Sequence, residues 1–384
     1  MTLRILHSAD WHLGRRFERN SLEDDQKAFL RWLCQTVTEE SVDLVVIAGD
    51  VFDRALASEE AVALLDDGLD GLLQCGTKVV MIPGNHDSAR RLGFAAKRQA
   101  AAGIHVVSAD EQACRPRVIE CANGAICVAA IPFLDPHSAT TFRYEGEGPR
   151  THGSILEAAI ATARDSLEGT LSSLLVAHGT VIGATRSESE RTVQIGGATA
   201  IGADALEGFD VVALGHLHRP QSVNKNDAIA YAGSPLPYSF SENHTKSVRI
   251  INIGDNGKPS FSLKEIPVGR KVITLSGPLE AILGEQSYEE FRDYFVSVEL
   301  DDPIPISQAM EKIQERFSYA VGLRYRNIGQ RSEPMSSLSQ TGVSVDDPRA
   351  VFAAFIEEVR ERSLEEWEDQ LFRDALEKVS AENK

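Results

Sequence analysis

Short apolar runs rich in Val and Ile recur through the first 270 residues, at Leu3–His7, Leu44–Ala48, Val79–Pro83, Ile104–Val107, Ile126–Ile131, Leu174–Ala177, Val211–Leu214 and Ala228–Ala232. Runs this short, often closed by Gly or Pro, predict buried strands. Between them Leu22–Thr38 and Glu59–Leu73 carry helical spacing, the second opening behind Ser58 as an N-cap. Asn123-Gly124 and the Gly254–Gly257 segment mark hairpin turns. The expected architecture is a layered α/β domain over residues 1–270 that ends in antiparallel hairpins.

From Lys271 the pattern changes. Tyr294–Leu300 alternates like a strand, Ser307–Phe317 has helical spacing and Ala320–Tyr325 reads as a second strand, which predicts a small α+β domain over 271–330. Residues 331–347 are rich in Ser, Gln, Gly, Pro and Asp with few large apolar groups and predict a linker. Residues 348–384 predict a helical tail with two apolar stripes, Val351, Phe352, Phe355, Ile356 and Val359, then Leu364, Trp367, Leu371 and Ala375. Such stripes bury either on the body of the chain or against a partner, and both outcomes stay open at this point.

The chain has 384 residues, more than one core usually organises, with apolar and charged fractions of 42% and 25% that fit globular rather than disordered protein. No apolar run approaches the roughly 20 residues that span a bilayer. The opening residues lead into a strand with no basic n-region or cleavage site, so a soluble, cytoplasmic protein without a membrane partner is expected. The five cysteines are scattered without a CxxC pair, which predicts free thiols rather than disulfides or structural zinc. The net charge of −18 argues at first against nucleic acid. Its distribution weakens the objection: residues 1–270 carry 26 Lys+Arg against 34 Asp+Glu, and residues 271–384 carry 13 against 23. Basic groups also cluster, at Arg15, Arg16 and Arg19 and at Arg90, Arg91, Lys97 and Arg98.

Five segments follow the predicted strands: Asp10-Trp11-His12, Gly49-Asp50-Val51-Phe52-Asp53, Gly84-Asn85-His86-Asp87, His178-Gly179 and Gly215-His216-Leu217-His218. Loops at strand C-termini of an α/β sheet converge on one rim. Carboxylate, imidazole and amide oxygen without thiolate suit manganese, iron or zinc at coordination above four. Alternation in Asp-x-His and His-x-His is expected to aim both side chains at the rim, and glycine before Asp50, Asn85 and His216 to permit a sharp turn. Two adjacent cations need a bridging ligand, for which the Asp50 carboxylate is the candidate. Asp53 is expected to cap a helix or to accept from a metal ligand.

In order and spacing these segments resemble the calcineurin-like metallophosphoesterase superfamily. The longer stretches HSADWHLGRR (7–16), GDVFDRA (49–55), PGNHDS (83–88), GHLHRPQ (215–221) and YAGSPLPYSFSE (231–242) are similar to one branch of it, DNA-repair nucleases that work with an SMC-like ATPase. The similarity covers residues 3–270 well and the rest in layout only. It implies a layered β-sandwich flanked by helices, an α+β capping domain over 271–330 and a C-terminal helical tail. It implies that Asp10, His12 and His218 hold one metal ion, that Asn85, His178 and His216 hold the other, and that Asp50 lies between, with manganese as the metal. His86 would sit beside the scissile phosphate, its imidazole oriented by Asp87.

The same resemblance implies a nuclease of repair, recombination and replication, an exonuclease on duplex ends and an endonuclease on single strands and hairpins, associated with the nucleoid. It implies a homodimer through helices at Glu59–Leu73 and Ser88–Ala101, joined to the ATPase in a heterotetramer. Phe352, Phe355, Ile356, Trp367 and Leu371 are then the candidate ATPase contacts, and Arg15, Arg16, Arg90 and Arg91 the candidate DNA-backbone contacts. A small-molecule phosphodiesterase or phosphatase of the same superfamily is the alternative. Such an enzyme needs no second domain, linker or apolar tail. A non-catalytic scaffold that kept the fold would not need the complete ligand set.

Overall fold

The computed structural model describes residues 2–108, 115–136, 150–167, 169, 171–190, 200–326, 347–360 and 362–382. In chain order it begins with β1 (Leu3–Ser8), α1 (Glu23–Glu39), β2 (Leu44–Ala48), α2 (Glu59–Gln74), β3 (Lys78–Ile82), α3 (Ala89–Leu92), α4 (Ala96–Ala102) and β4 (Ile104–Val106). Next come β5 (Arg117–Cys121), β6 (Gly124–Ile131), α5 (His152–Asp165), β7 (Ser173–His178), β8 (Val211–Gly215), β9 (Gln221–Val223) and β10 (Asn226–Tyr231). The hairpin of β11 (Ser247–Ile253) and β12 (Pro259–Glu265) follows.

These strands form two six-stranded sheets, ordered β12-β11-β1-β2-β3-β4 and β9-β10-β8-β7-β6-β5. The strands from β1 to β4 run parallel, as do β6, β7, β8 and β10, while β11, β12, β5 and β9 add antiparallel edges. Parallel strands need both faces covered, and strand side chains alternate between faces. Leu44, Val46 and Ala48 of β2 therefore meet Val128, Ala130, Leu174 and Val176 of the opposite sheet. Val45 and Ile47 turn outward under Phe29 and Leu33 of α1 and Leu64 and Leu69 of α2. On the far side Leu175, Ala177, Val212 and Leu214 lie under Ile155, Leu156 and Ile160 of α5. Helix, sheet, sheet and helix thus stack in four layers, and burial on both faces is why the runs read as continuously apolar.

The expected strands and hairpins appear with shifts of a residue or two at their ends. Ser58 caps α2, accepting the Ala61 N–H at 3.3 Å. One expectation changes: Ser88–Ala101 is not one helix but α3 and α4, broken at Ala95, which adopts φ 58°. The described cysteines, Cys34, Cys75, Cys121 and Cys127, are free thiols.

After β12 come β13 (Val272–Gly277), α6 (Leu279–Gly284), β14 (Phe295–Leu300), α7 (Ala309–Arg316) and β15 (Ala320–Tyr325), with the three strands in one sheet. The pattern of apolar residues does not mark β13. The chain divides into two compact units, Met1–Leu275 with Leu283–Val298 and Met310–Gly322, and Ser276–Ile282 with Glu299–Ala309 and Leu323–Lys384. Within the first unit Arg270 binds Asp25 through its N–H at 2.8 Å and its guanidinium at 2.5 Å, and also reaches the Tyr319 hydroxyl at 2.8 Å. Phe17 stacks on Phe295 with centroids 4.5 Å apart.

Within the second unit α8 (Pro348–Arg360) and α9 (Glu366–Glu382) pack through stacked Phe352 and Phe372 rings, centroids 4.1 Å apart. An Arg349–Asp369 ion pair of 2.6 Å joins them as well. Apart from Asp347, the expected linker at 331–347 lies outside the described residues. No described helix is long and apolar enough to cross a membrane.

Leu174 is fully buried between the sheets, whereas Val118 on the edge strand β5 is 54% exposed. Leu174→Ala is expected to lower stability by about 2–5 kcal/mol. Val118→Ala should stay within about 0.5 kcal/mol. Urea denaturation of both variants checks this, and equal losses would contradict the layer assignment.

Candidate metal centre

β1, β2, β3, β7 and β8 all end at one rim, and each delivers a polar side chain there from its last residue or from the loop that follows. Asp10, His12, Asp50, His178, His216 and His218 are all at most 3% exposed. Three groups bring their ligand atoms within 4.8 Å of one another: Asp10, His12 and His218; Asp50, His178 and His216; and His12, Asp50 and His86. Asn85 joins them, its Oδ1 lying 3.0 Å from both His178 Nε2 and His216 Nδ1. All seven expected ligands are therefore brought together, with Asp50 within 3.7 Å of His12 and 3.5 Å of His178.

The local backbone explains the assembly differently from the sequence argument. Asp10, His12, Asp50 and His216 adopt φ values of 55°, 43°, 49° and 101°, so the loops are coiled rather than extended, and alternation does not aim the side chains. Left-handed backbone at non-glycine residues costs of order 1–3 kcal/mol each and clusters at functional sites. The glycines serve mostly close approach. A Cβ on Gly49 would lie 2.2 Å from His178 Nδ1, one on Gly84 2.2 Å from Asp50 Oδ1, and one on Gly215 1.9 Å from the Ala48 oxygen. Only Gly49, at φ 92°, also needs the left-handed turn.

Hydrogen bonds behind the rings define which nitrogens carry lone pairs. His178 Nδ1 donates to the Ala48 carbonyl at 2.9 Å, leaving Nε2 facing Asn85 Oδ1. His218 Nδ1 has Ser189 Oγ at 2.7 Å and Glu242 Oε1 at 3.2 Å as acceptors. His12 Nδ1 faces Asp53 Oδ1 at 3.6 Å. His218 Nε2, left with a lone pair, meets His12 Nε2 at 3.2 Å. Acceptor facing acceptor in a buried site is unfavourable unless a cation or proton lies between them. His216 Nε2 is buried without a protein partner. The donor set fits divalent cations.

Burial lowers His12 to about 4, His216 well below its ordinary value, and His218 in the same direction, so these imidazoles are neutral and able to ligate at pH 7. At His178 burial acts downward as well, but the Asp50 and Asp10 carboxylates outweigh it and raise the group to about 9. Burial opposes ionisation of Asp50, and His178 and His12 beside it still hold its carboxyl well below the usual range.

His86 is 5% exposed and its Nδ1 lies 2.8 Å from the Asp53 carbonyl oxygen. Asp87 takes another position than expected. Its carboxylate accepts the N–H groups of Val51 at 3.0 Å, Phe52 at 2.8 Å and Gly84 at 2.9 Å, so it fixes the loops that carry Asp50 and Asn85, while the Asp53 carbonyl orients the His86 ring. The Asp53 carboxylate meets Arg15 at 3.0 Å and faces His12, as an acceptor beside a candidate ligand.

A cleft of about 690 Å³ opens beside His86, lined by Arg15, Arg16, Arg54, Asp53 and Ser189 among others. Arg15 is held by Asp53 and by the Tyr238 ring, 4.7 Å from its centroid. Arg90 and Arg91 do not line this cleft, and Arg91 instead donates to the Ala55 carbonyl at 2.9 Å. In the tail Phe352 and Ile356 are turned inward, whereas Phe355, Trp367 and Leu371 are 55–62% exposed.

Sequence reasoning missed the residues behind the ligands. Tyr238 donates to the Trp11 carbonyl at 2.7 Å, Glu190 accepts the His218 N–H at 2.8 Å, and Glu242 and Lys246 form a buried pair. Tyr238 and Glu242 lie inside the 231–242 stretch, but nothing local in it indicates which ligand loop they support.

A family model described as calcineurin-like phosphoesterase matches residues 3–220. Another, described as type 5 capsule protein repressor C-terminal domain, matches residues 268–360. The chain is similar to the SbcD subunit of the nuclease SbcCD from Escherichia coli K12, 29% identical over 370 residues that cover 91% of this chain and 92% of that protein. It is 30% identical over 324 residues to the protein of the same name from Staphylococcus saprophyticus, covering 84% of each. The Staphylococcus epidermidis counterpart is 28% identical over 323 residues, 84% of this chain and 85% of that protein.

Gly84→Ala should push a methyl group into Asp50 and misplace two ligand loops. Turnover of a simple phosphodiester is expected to fall about 100-fold. Initial rates across a metal titration, with circular dichroism confirming the fold, check it.

Proposed function

Because the chain belongs to the calcineurin-like phosphoesterase family, we propose that it is a metal-dependent DNA nuclease whose centre holds two divalent ions, manganese in the first instance. The observation that carries this reading is the gathering of Asp10, His12 and His218 and of Asp50, His178 and His216, with ligand atoms within 4.8 Å of one another in each group, and Asn85 Oδ1 3.0 Å from both His178 Nε2 and His216 Nδ1. Similarity along nine-tenths of the chain to a nuclease subunit supports DNA rather than a small phosphoester as the substrate.

Asp10, His12 and His218 would hold one ion and Asn85, His178 and His216 the other, with Asp50 shared. Cations held by these residues would supply Lewis acidity to activate an attacking water and to offset charge on the phosphoryl oxygens. The chain's own residues do the rest. Asp87 locks the Asp50 and Asn85 loops through three backbone N–H groups. The Asp53 carbonyl fixes the His86 ring through Nδ1, and the imidazolium form would give its Nε2 proton to the leaving 3′ oxygen. Arg15, Arg16 and Arg54 in the cleft contact the DNA backbone, where cations position without reading sequence. Arg90 and Arg91 would then touch DNA only away from the cleft.

The reading extends to double-strand exonuclease and single-strand or hairpin endonuclease action in repair and recombination, in the cytoplasm at the nucleoid. The partner is an SbcC-like SMC-type ATPase, as the name of the relatives suggests. Exposed Phe355, Trp367 and Leu371 support a docking role for α8 and α9, while Phe352 holds that helix pair together and Ile356 is buried. Exposed Leu56, Val62 and Phe94 near α2, α3 and α4 support a homodimer, and with the ATPase a heterotetramer.

Purified protein with manganese should cut end-labelled duplex and hairpin DNA and leave a nucleotide monoester nearly untouched; the reverse preference would favour the phosphatase reading. His86→Ala should keep its metal by calorimetry and lose about 10²–10⁴ in turnover. Metal lost together with activity would make His86 a ligand. Removing residues 348–384 should abolish co-purification with the ATPase and spare cleavage of a small phosphodiester.

A further inference from the structure

Glu242 lies outside the ligand set, yet its side chain is fully buried. Oε1 accepts from the Ser189 hydroxyl and lies 3.2 Å from His218 Nδ1. Oε2 accepts from Lys246 Nζ at 2.5 Å and from the Ser234 hydroxyl at 3.2 Å. Lys246 is itself buried, and its ammonium spends its donors on Glu242, on Ser234 Oγ at 2.8 Å and on the His218 carbonyl at 3.2 Å. Replacing such an ion pair by apolar residues is often neutral or stabilising, so stability alone is a weak reason for one here. What this pair touches is a candidate metal ligand, by its ring and by its backbone carbonyl.

We propose that Glu242 is the positioning residue for His218: its carboxylate, paired with Lys246 and bound to the Ser189 hydroxyl, holds the Nδ1–H of the imidazole together with the Ser189 oxygen and so presents the Nε2 lone pair toward His12 and Asp10. This rests on the metal-centre reading above. The chemistry follows from the two ring nitrogens. A neutral imidazole carries one proton, and a carboxylate at Nδ1 keeps that proton there. With the proton on Nε2 instead, His218 would point an N–H into the ligand group and could not bind a cation. Ser189 reinforces the arrangement, because its hydroxyl donates to Glu242 and its oxygen lies 2.7 Å from the same Nδ1.

Single removal of Glu242 would strand a buried ammonium and risk unfolding the protein, so the test uses paired variants in the full chain. Glu242→Leu with Lys246→Met removes both charges and the acceptor at near-constant volume; Glu242→Gln with Lys246→Met removes the charges and keeps an acceptor oxygen. In histidine-labelled protein without metal, nitrogen NMR should find His218 protonated on Nδ1 in the natural sequence and in the Gln/Met variant, and shifted toward Nε2–H in the Leu/Met variant. Manganese affinity by calorimetry should fall about 10–100-fold for Leu/Met and be largely restored for Gln/Met. An Nε2–H tautomer in the natural protein, or a Leu/Met variant with unchanged tautomer and affinity, would overturn the proposal. Failure of the natural protein to bind manganese at all, with the Nδ1–H tautomer intact, would sink the metal-centre reading and leave the role of Glu242 standing.

Discussion

The two sheets meet tightly at the ends of β2, β7 and β8, and the space there admits no side chain beyond hydrogen at Gly49 and Gly215. His178 Nδ1 reaches across this gap to the Ala48 carbonyl, tying the last residue of β7 to the last residue of β2. Every other feature of the rim depends on that approach. It brings Asp50 on one sheet within reach of His178 on the other, and it buries the ligand atoms deeply enough that their lone pairs cannot be left to water.

A buried cluster of acceptors has to be organised against its own repulsion, and the chain does so with groups placed behind the ligands. Backbone N–H groups meet Asp10, Asp50 and Asp87, while carbonyl oxygens hold the Nδ1 atoms of His178 and His86. Side-chain carboxylates face the Nδ1 atoms of His12 and His218. At His178, His86 and His218 the outer partner orients the ring so that the other nitrogen faces inward. Four left-handed non-glycine residues in these loops carry backbone strain that the packed sheets must offset, which fits a rim set rigidly by the four-layer core rather than one that folds around its ions.

Outside the rim, the structure separates groups that composition alone would lump together. Arg15 and Arg16 share a cleft with His86, whereas Arg90 and Arg91 lie elsewhere and one of them serves the Ala55 carbonyl. The tail stripes likewise split, with Phe352 stacked inside the helix pair, Ile356 buried, and Phe355, Trp367 and Leu371 left outward. Charge and hydrophobicity along the chain predict that such surfaces exist; only packing assigns which members remain for a partner.

The amino-acid sequence by itself determined the strand order along the chain, the double-sided burial of β2, β3, β7 and β8, the N-cap at Ser58 and the seven candidate ligands at strand ends, because these depend on neighbours within a few residues. It assigned the glycines at positions 49, 84 and 215 to sharp turns, which holds at Gly49, and missed the close approach, since the atoms that crowd Gly49 and Gly215 belong to the opposite sheet. The coiled backbone at Asp10, His12, Asp50 and His216, the true acceptor for His86, the clamp made by Asp87 and the pairing of Glu242 with His218 were decided by tertiary structure alone. Those contacts join residues 24 to 36 positions apart or follow from local turns with no periodic signature, and a linear pattern carries no term for either.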